Sequence, residues 1–216
     1  MYLPRYHALT DVDAMHAHID QHALGAWVCT VEQRLEANHI PWVLERNHGP
    51  HGRLLGHVSR ANPVWRALAG GAPSVVMFMG PQGYITPAWY PGKASHGKVV
   101  PTWNYVTVHA HGTARAVEDA GWILDVITRL THAQEAGRPQ RWQVADAPAD
   151  YIGALLRAVV GIEISIDWLE GRLKVSQDED RADRLGTVQG LQEQGDSDSQ
   201  ALAALVWKEL QKPEQG

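Results

Sequence analysis

Between Tyr84 and Tyr105 the chain reads YITPAWYPGKASHGKVVPTWNY, and its three prolines, Pro87, Pro91 and Pro101, limit the fold more than any other feature. Proline donates no backbone hydrogen bond and fixes φ, so no central strand runs through these positions. The segment is expected to be a rigid, irregular loop entering a strand near Val99. It also carries Trp89, Tyr90, Trp103 and Tyr105 beside Lys93 and Lys98. Rings next to cations suit a flat, anionic, aromatic ligand, since rings stack on it and lysines neutralise a phosphate. An aromatic loop capping one end of a barrel accounts for the same residues without a ligand.

The flanking sequence supplies strands. SVVMFMG (74–80) is a continuous apolar run and reads as a buried strand, with a turn at Gly80–Gly83 and a return strand beginning at Tyr84. From Lys98 to Val117 a long strand is expected, with Tyr105, Thr107, His109 and His111 on one face and Val106, Val108 and Ala110 on the other. His109 and His111 sit as strand-borne metal ligands do, but no third ligand with motif-like spacing accompanies them, and no metal is assigned. GIEISID (161–167) alternates as a half-buried strand, and RLKVSQ (172–177) follows a turn at WLEG. There Lys174, Ser176 and Gln177 can face a ligand or be ordinary strand-edge polars.

Upstream, Thr10–Asp13 resembles a capping box that opens a helix closing near Leu24-Gly25. Residues 26–31 and 39–45 read as a hairpin joined by the polar EQRLEAN, and 53–59 as a third strand. Asn62-Pro63 starts a short helix that Gly70-Gly71 ends. SRANP therefore lies between a strand and a helix N-terminus, where Ser59, Arg60 and backbone donors can bind phosphate or simply cap. Residues 119–136 and 148–160 read as helices. Beyond Asp178 the composition turns charged and glutamine-rich, yet leucines at helical spacing support two more helices.

Among 216 residues, 44% are hydrophobic, ample for a core, and a net charge of −5 argues against strong non-specific nucleic-acid binding. One cysteine, Cys29, excludes an internal disulfide framework and fits a buried apolar position in a reducing compartment. No apolar run reaches a membrane span and the N-terminus lacks a signal-peptide core, so the expected location is cytoplasmic, with no membrane partner. Nine tryptophans are more than a core readily buries, so some are expected at a cleft or an interface. There is no G-x-S-x-G elbow, P-loop, G-x-G-x-x-G after a strand, or H-E-x-x-H. Any chemistry would be a cofactor's.

The ordered motifs MYLP, GHVSRANPVW (56–65), MGPQGYITPAWYPGK (79–93), VVPTWNYVTVHAHG (99–112) and VVGIEISIDWLEGRLKVSQ (159–177) resemble the PaiB family of FMN-binding negative transcriptional regulators. The resemblance covers about residues 1–190. Asp178 and Thr86 depart from the commoner asparagine and serine, and both keep polarity.

The resemblance implies a β-rich α+β fold, the antiparallel FMN-binding split β-barrel with peripheral helices and a helical C-terminal tail. Residues 1–177 would form the split-barrel domain, and 178–216 a helical extension packed on it or on a partner subunit. The implied cofactor is FMN in a homodimer. Ser59, Arg60 and Asn62 would lie on the phosphate side, with Thr102, Trp103 and Asn104 bordering the flavin and Lys174, Ser176 and Gln177 reaching it. His57, Tyr84, Trp89, Tyr90 and Lys93 are looser candidates for the ring or a second ligand. The family label implies promoter DNA as a partner, although no helix-turn-helix is legible. Two alternatives stay open: an FMN-dependent oxidoreductase related to pyridoxamine phosphate oxidase, for which no catalytic residue is identified, and a haem-binding split barrel with a histidine such as His109 as ligand.

Overall fold

Strand alternation governs the chain. In a computed structural model that describes residues 1–212, three long strands, β6 (Ala72–Ile85), β7 (Thr102–Val117) and β8 (Val159–Lys174), follow shorter ones, β1 (Ala8–Leu9), β2 (Leu24–Val31), β3 (Arg34–Pro41), β4 (Val43–Glu45) and β5 (Arg53–Ser59). They form an antiparallel eight-stranded sheet in the order β3-β2-β6-β7-β8-β5-β4, with β1 added to β8. The flanking helices are α1 (Val12–Gln21), α2 (Gly92–Ser95), α3 (Ala120–Glu135), α4 (Ala149–Arg157), α5 (Arg181–Gln194) and α6 (Ser197–Leu210). The chain divides into two compact units: Met1–Thr10, Met79–Val108 and the chain from Glu170 form one, and Asp11–Phe78 with His109–Leu169 the other. No helix among the described residues is long and apolar enough to cross a membrane.

In the second of these units, the alternating side chains of β2, β5 and β8 bury Trp27, Leu54, Leu55, Ile162 and Ile164 completely or nearly so. Each such side chain contributes about 1.5–3 kcal/mol relative to exposure. Asp11 rather than Thr10 caps α1, its Oδ1 accepting from Asp13 N at 2.9 Å and Ala14 N at 3.3 Å, and the helix stops at Gln21. The polar run taken for a connection is mostly strand. Glu32 and Gln33 (φ 47° and 64°) make a tight turn, and β3 begins at Arg34. Arg34–Ala37 are exposed, which removes the apolar signal, and β3 is the sheet edge, where Pro41 is tolerated. Asn62 caps as expected, accepting from Val64 N at 3.0 Å, but the turn it starts, Pro63–Leu68, is a 3-10 helix.

Two expected turns are absent. β6 runs straight through Gly80-Pro81-Gln82-Gly83, and β8 through Trp168–Gly171. β2 pairs with β6 only over Ser74–Met77, so Pro81 removes no donor from that ladder. The proline-rich stretch is more ordered than a loop: Pro87–Trp89 is a 3-10 turn capped by Thr86, α2 follows, and β7 starts at Thr102, just after Pro101 rather than near Val99.

Helices α5 and α6 hold this stretch in place. Ile85, Tyr90, Val175, Val188, Leu191, Leu202, Val206 and Leu210 share one core, with Trp89 packed against it. Gly186 and Gly190, one turn apart on α5, form the seat for Trp89. A Cβ at Gly186 would lie 2.0 Å from the Trp89 carbonyl oxygen, and one at Gly190 would lie 2.2 Å from its indole. The buried Asp183 carboxylate accepts from Gly92 N at 2.8 Å, pinning α2 to the same helix. The tail is helical as expected, and its last residues, 213–216, lie outside the described residues.

Candidate functional site

The side chains of β7 alternate at its start, so Thr102 and Asn104 face one way and Trp103 and Tyr105 the other. The end of β8 meets the first pair. Lys174 Nζ donates to Thr102 Oγ1, and Asn104 Nδ2 donates to Ser176 Oγ at 2.8 Å. Ser176 adopts φ 60°, a left-handed conformation unfavourable for a residue with a Cβ. Gln177 braces it: its Oε1 accepts from Val175 N at 2.7 Å and its Nε2 donates to Leu173 O at 2.6 Å. Glu179 N donates to Ser176 O at 3.2 Å and closes the turn. Thr102 and Asn104 are thus each hydrogen-bonded to a residue 72 positions further along the chain, Lys174 and Ser176, while Gln177 serves the local backbone.

These residues keep polar capacity in reserve. Asn104 is fully buried and its Oδ1 has no hydrogen-bond partner. Leaving a buried acceptor unpaired costs about 1–3 kcal/mol. Burial holds the half-buried Lys174 amine below the usual lysine range; the Arg172 charge adds to this, while Asp178 and Glu179 oppose it. Arg172 lies over the Tyr105 ring at 5.3 Å and donates through Nη1 to Tyr2 O at 3.0 Å, while its buried Nε is unpaired. Trp103 is 53% exposed and meets the exposed Tyr84 edge-on, with ring centroids 6.3 Å apart. Lys174 with the Thr102 hydroxyl on one side of β7, and the exposed Trp103 and Tyr84 rings on the other, suit in kind the phosphate and the ring of a flavin mononucleotide.

The looser candidates separate. Tyr84 stands beside Trp103, whereas Tyr90 is 3% exposed in the α5–α6 core, where burial pushes its hydroxyl up to about 12. Trp89 occupies its glycine seat, and Lys93 is exposed on α2.

His57, Ser59, Arg60 and Asn62 belong to the other unit, where most of their polar atoms are engaged. Arg60 donates through Nε to Arg157 O (2.9 Å), through Nη1 to Glu118 (2.6 Å) and through Nη2 to Val159 O (3.2 Å). Ser59 Oγ accepts from Ala61 N, and Asn62 caps its turn while donating to Asn38 Oδ1 at 2.7 Å. His57 is half-buried; burial lowers its pKa, and its Nδ1 has no partner. In the same unit, His111 stacks on Trp168 at 4.5 Å with planes 9° apart, and both line a cavity of about 430 Å³ with Val28, Thr30, Val75 and Asp167.

Sequence reasoning missed His7 and Arg172. The pairing of Ala8 with Arg172 brings the N-terminal turn beside the end of β8. Nothing in the local pattern around either residue signals a contact across so long a stretch of chain.

Residues 1–168 match the family described as "Putative FMN-binding domain". The chain is 32% identical to an uncharacterised protein of Emericella nidulans, over 95% of this chain and 96% of that one. It is 27% identical to the protease synthase and sporulation protein PAI 2 of Bacillus subtilis, over 98% of this chain and 99% of the other. Among solved structures, the FAD and haem binding protein of Mycobacterium smegmatis aligns with a TM-score of 0.59 at 17% identity, covering 80% of this chain and 76% of its own. The flavocytochrome Anf3 of Azotobacter vinelandii aligns with a TM-score of 0.60 at 16% identity, covering 85% and 78%. These two likenesses concern the fold, an antiparallel split β-barrel.

Proposed function

Because the chain belongs to the PaiB family of FMN-binding split-barrel proteins, we propose that it is a flavin-dependent negative transcriptional regulator, acting in the cytoplasm as a homodimer. The observation that carries the regulatory part is the end-to-end match to the Bacillus subtilis protein, whose name ties it to protease synthesis and sporulation. FMN, when bound, supplies reversible electron-accepting chemistry.

The chain's own residues divide the work of holding it. Lys174 and Arg172 offer positive charge to the phosphate, and Thr102 and Lys174 orient one another. Trp103 and Tyr84 cover ring surface and keep water from it. Asn104, Ser176 and Gln177 fix the turn after β8, so that the Lys174 amine keeps its direction. Ser59, Arg60 and Asn62 are a second phosphate-side proposal, and there Arg60 would have to exchange Glu118 for the ligand.

An absorption spectrum of the purified protein tests the cofactor: flavin bands are expected, and a Soret band without them would replace this reading by a haem protein. For the regulatory role, the dimer should retard promoter DNA, with affinity falling steeply as salt rises. A dimer that gives no salt-sensitive shift with any promoter fragment would sink that half of the reading.

A further inference from the structure

The first residues of the chain place a histidine where the cofactor proposal has no use for it. His7 is 2% exposed, packs its ring edge-on against Tyr6 with centroids 4.4 Å apart, and has no hydrogen-bond partner for either ring nitrogen. Its Nε2 lies 3.8 Å from a carboxylate oxygen of Asp178, the residue after Gln177, just beyond hydrogen-bond reach. Asp178 itself is partly exposed and sits in the turn that Ser176 holds in its left-handed conformation. A buried imidazole with two unpaired nitrogens beside a carboxylate is poised for one small closure, and such unsatisfied groups call for an explanation.

Three charged groups act on His7: Arg172 and Lys174 from β8, and Asp178 from the following turn. Arg5 lies on its own 3-10 turn, and Glu179, beside Asp178, acts on Lys174. Burial is the largest influence and lowers the imidazole pKa; Asp178 opposes it, and Arg172 and Lys174 act in the same direction as burial.

We propose that His7 is a positioning residue of the flavin site: when an anionic ligand neutralises Lys174 and Arg172, the imidazole takes up one proton and closes onto Asp178, locking the turn after β8. This rests on the reading that FMN binds at Lys174. The sign follows from linkage. A group whose pKa rises on binding takes up a proton, so the added affinity is fully present below its free-state pKa and is lost as pH rises through its bound-state pKa. The site would then respond to pH through a residue that need not touch the ligand.

The test is an FMN titration by flavin fluorescence from pH 8 to pH 6 on the wild type, His7→Gln, His7→Phe and Lys174→Ala. The FMN phosphate titrates in the same range and affects the three proteins that keep Lys174 alike, so the informative quantity is the affinity ratio of wild type to His7→Gln. That ratio is expected to rise roughly three- to tenfold across the range, the most that one linked proton allows being about tenfold per pH unit. Calorimetry in two buffers of different ionisation heat should show proton uptake in the wild type beyond that in His7→Gln. This comparison stands even if His7→Phe fails to fold. A flat ratio with Lys174→Ala weakened overturns the His7 role and leaves the flavin site standing. Wild-type affinity in Lys174→Ala overturns the site, and the His7 role with it.

Discussion

Lys174 and Arg60 are both cations at strand ends, one closing β8 and the other following β5, yet their surroundings differ. All three guanidinium nitrogens of Arg60 are engaged, one of them by the Glu118 carboxylate. Lys174 bonds the neutral hydroxyl of Thr102, and an unspent Asn104 oxygen and an unpaired Arg172 nitrogen belong to the same neighbourhood. The sequence pointed to Arg60 for the phosphate and left Lys174 as a residue able to face a ligand or as an ordinary strand-edge polar. What separates them is whether a protein group already compensates the charge, because a cation paired to a carboxylate gains little from a second anion until the first is displaced.

The comparison breaks most forcefully if the unit bearing Lys174 is loosened. Gly186→Ala drives a methyl against the Trp89 backbone, and overpacking of this kind costs about 2–3 kcal/mol. Thermal unfolding should begin roughly 5–10 °C lower, and an unchanged midpoint would mean that α5 does not clamp the aromatic stretch. Next comes Lys174→Ala, which removes a charge-assisted contact of about 1.5–3 kcal/mol and should weaken FMN roughly ten- to a hundredfold by fluorescence titration.

Much of this architecture is legible in the sequence because it follows from local chemistry. The alternation of β7, the apolar stripe of α3 and the Asn62 cap each reside in a few adjacent residues. Misreadings arise where a local signal is outweighed by pairing. Gly80-Pro81-Gln82-Gly83 carries every mark of a turn, yet its strand continues where no β2 partner requires the missing donor. Arg34–Ala37, exposed throughout, shows no alternating strand pattern because an edge strand needs none. For the candidate site, the family resemblance implied the start of β7 and the end of β8, and the structure joins them through Thr102–Lys174 and Asn104–Ser176. The sequence had no means of showing that Tyr90 belongs to the α5–α6 core, or that His7 lies 3.8 Å from Asp178, since both depend on pairing between distant segments.

Two substitutions sharpen the comparison at smaller amplitude. Trp103→Ala removes an exposed ring, and aromatic packing is worth about 0.5–1.5 kcal/mol. FMN affinity should therefore drop by roughly two- to tenfold, with Trp103→Phe recovering most of it; equal losses in both would point to the indole N–H rather than to stacking. Arg60→Ala carries the smallest expected effect on the ligand. Its ion pair with Glu118 is partly exposed, at 37% and 58%, so solvent screening limits its stabilisation to about 1 kcal/mol or less. The two backbone carbonyls that Arg60 also serves, those of Arg157 and Val159, lose a donor, and this adds to the stability cost. FMN affinity should fall by less than in Lys174→Ala. If the order is reversed, Glu118 must yield Arg60 to the phosphate, and Glu118→Gln should then tighten FMN by freeing the guanidinium.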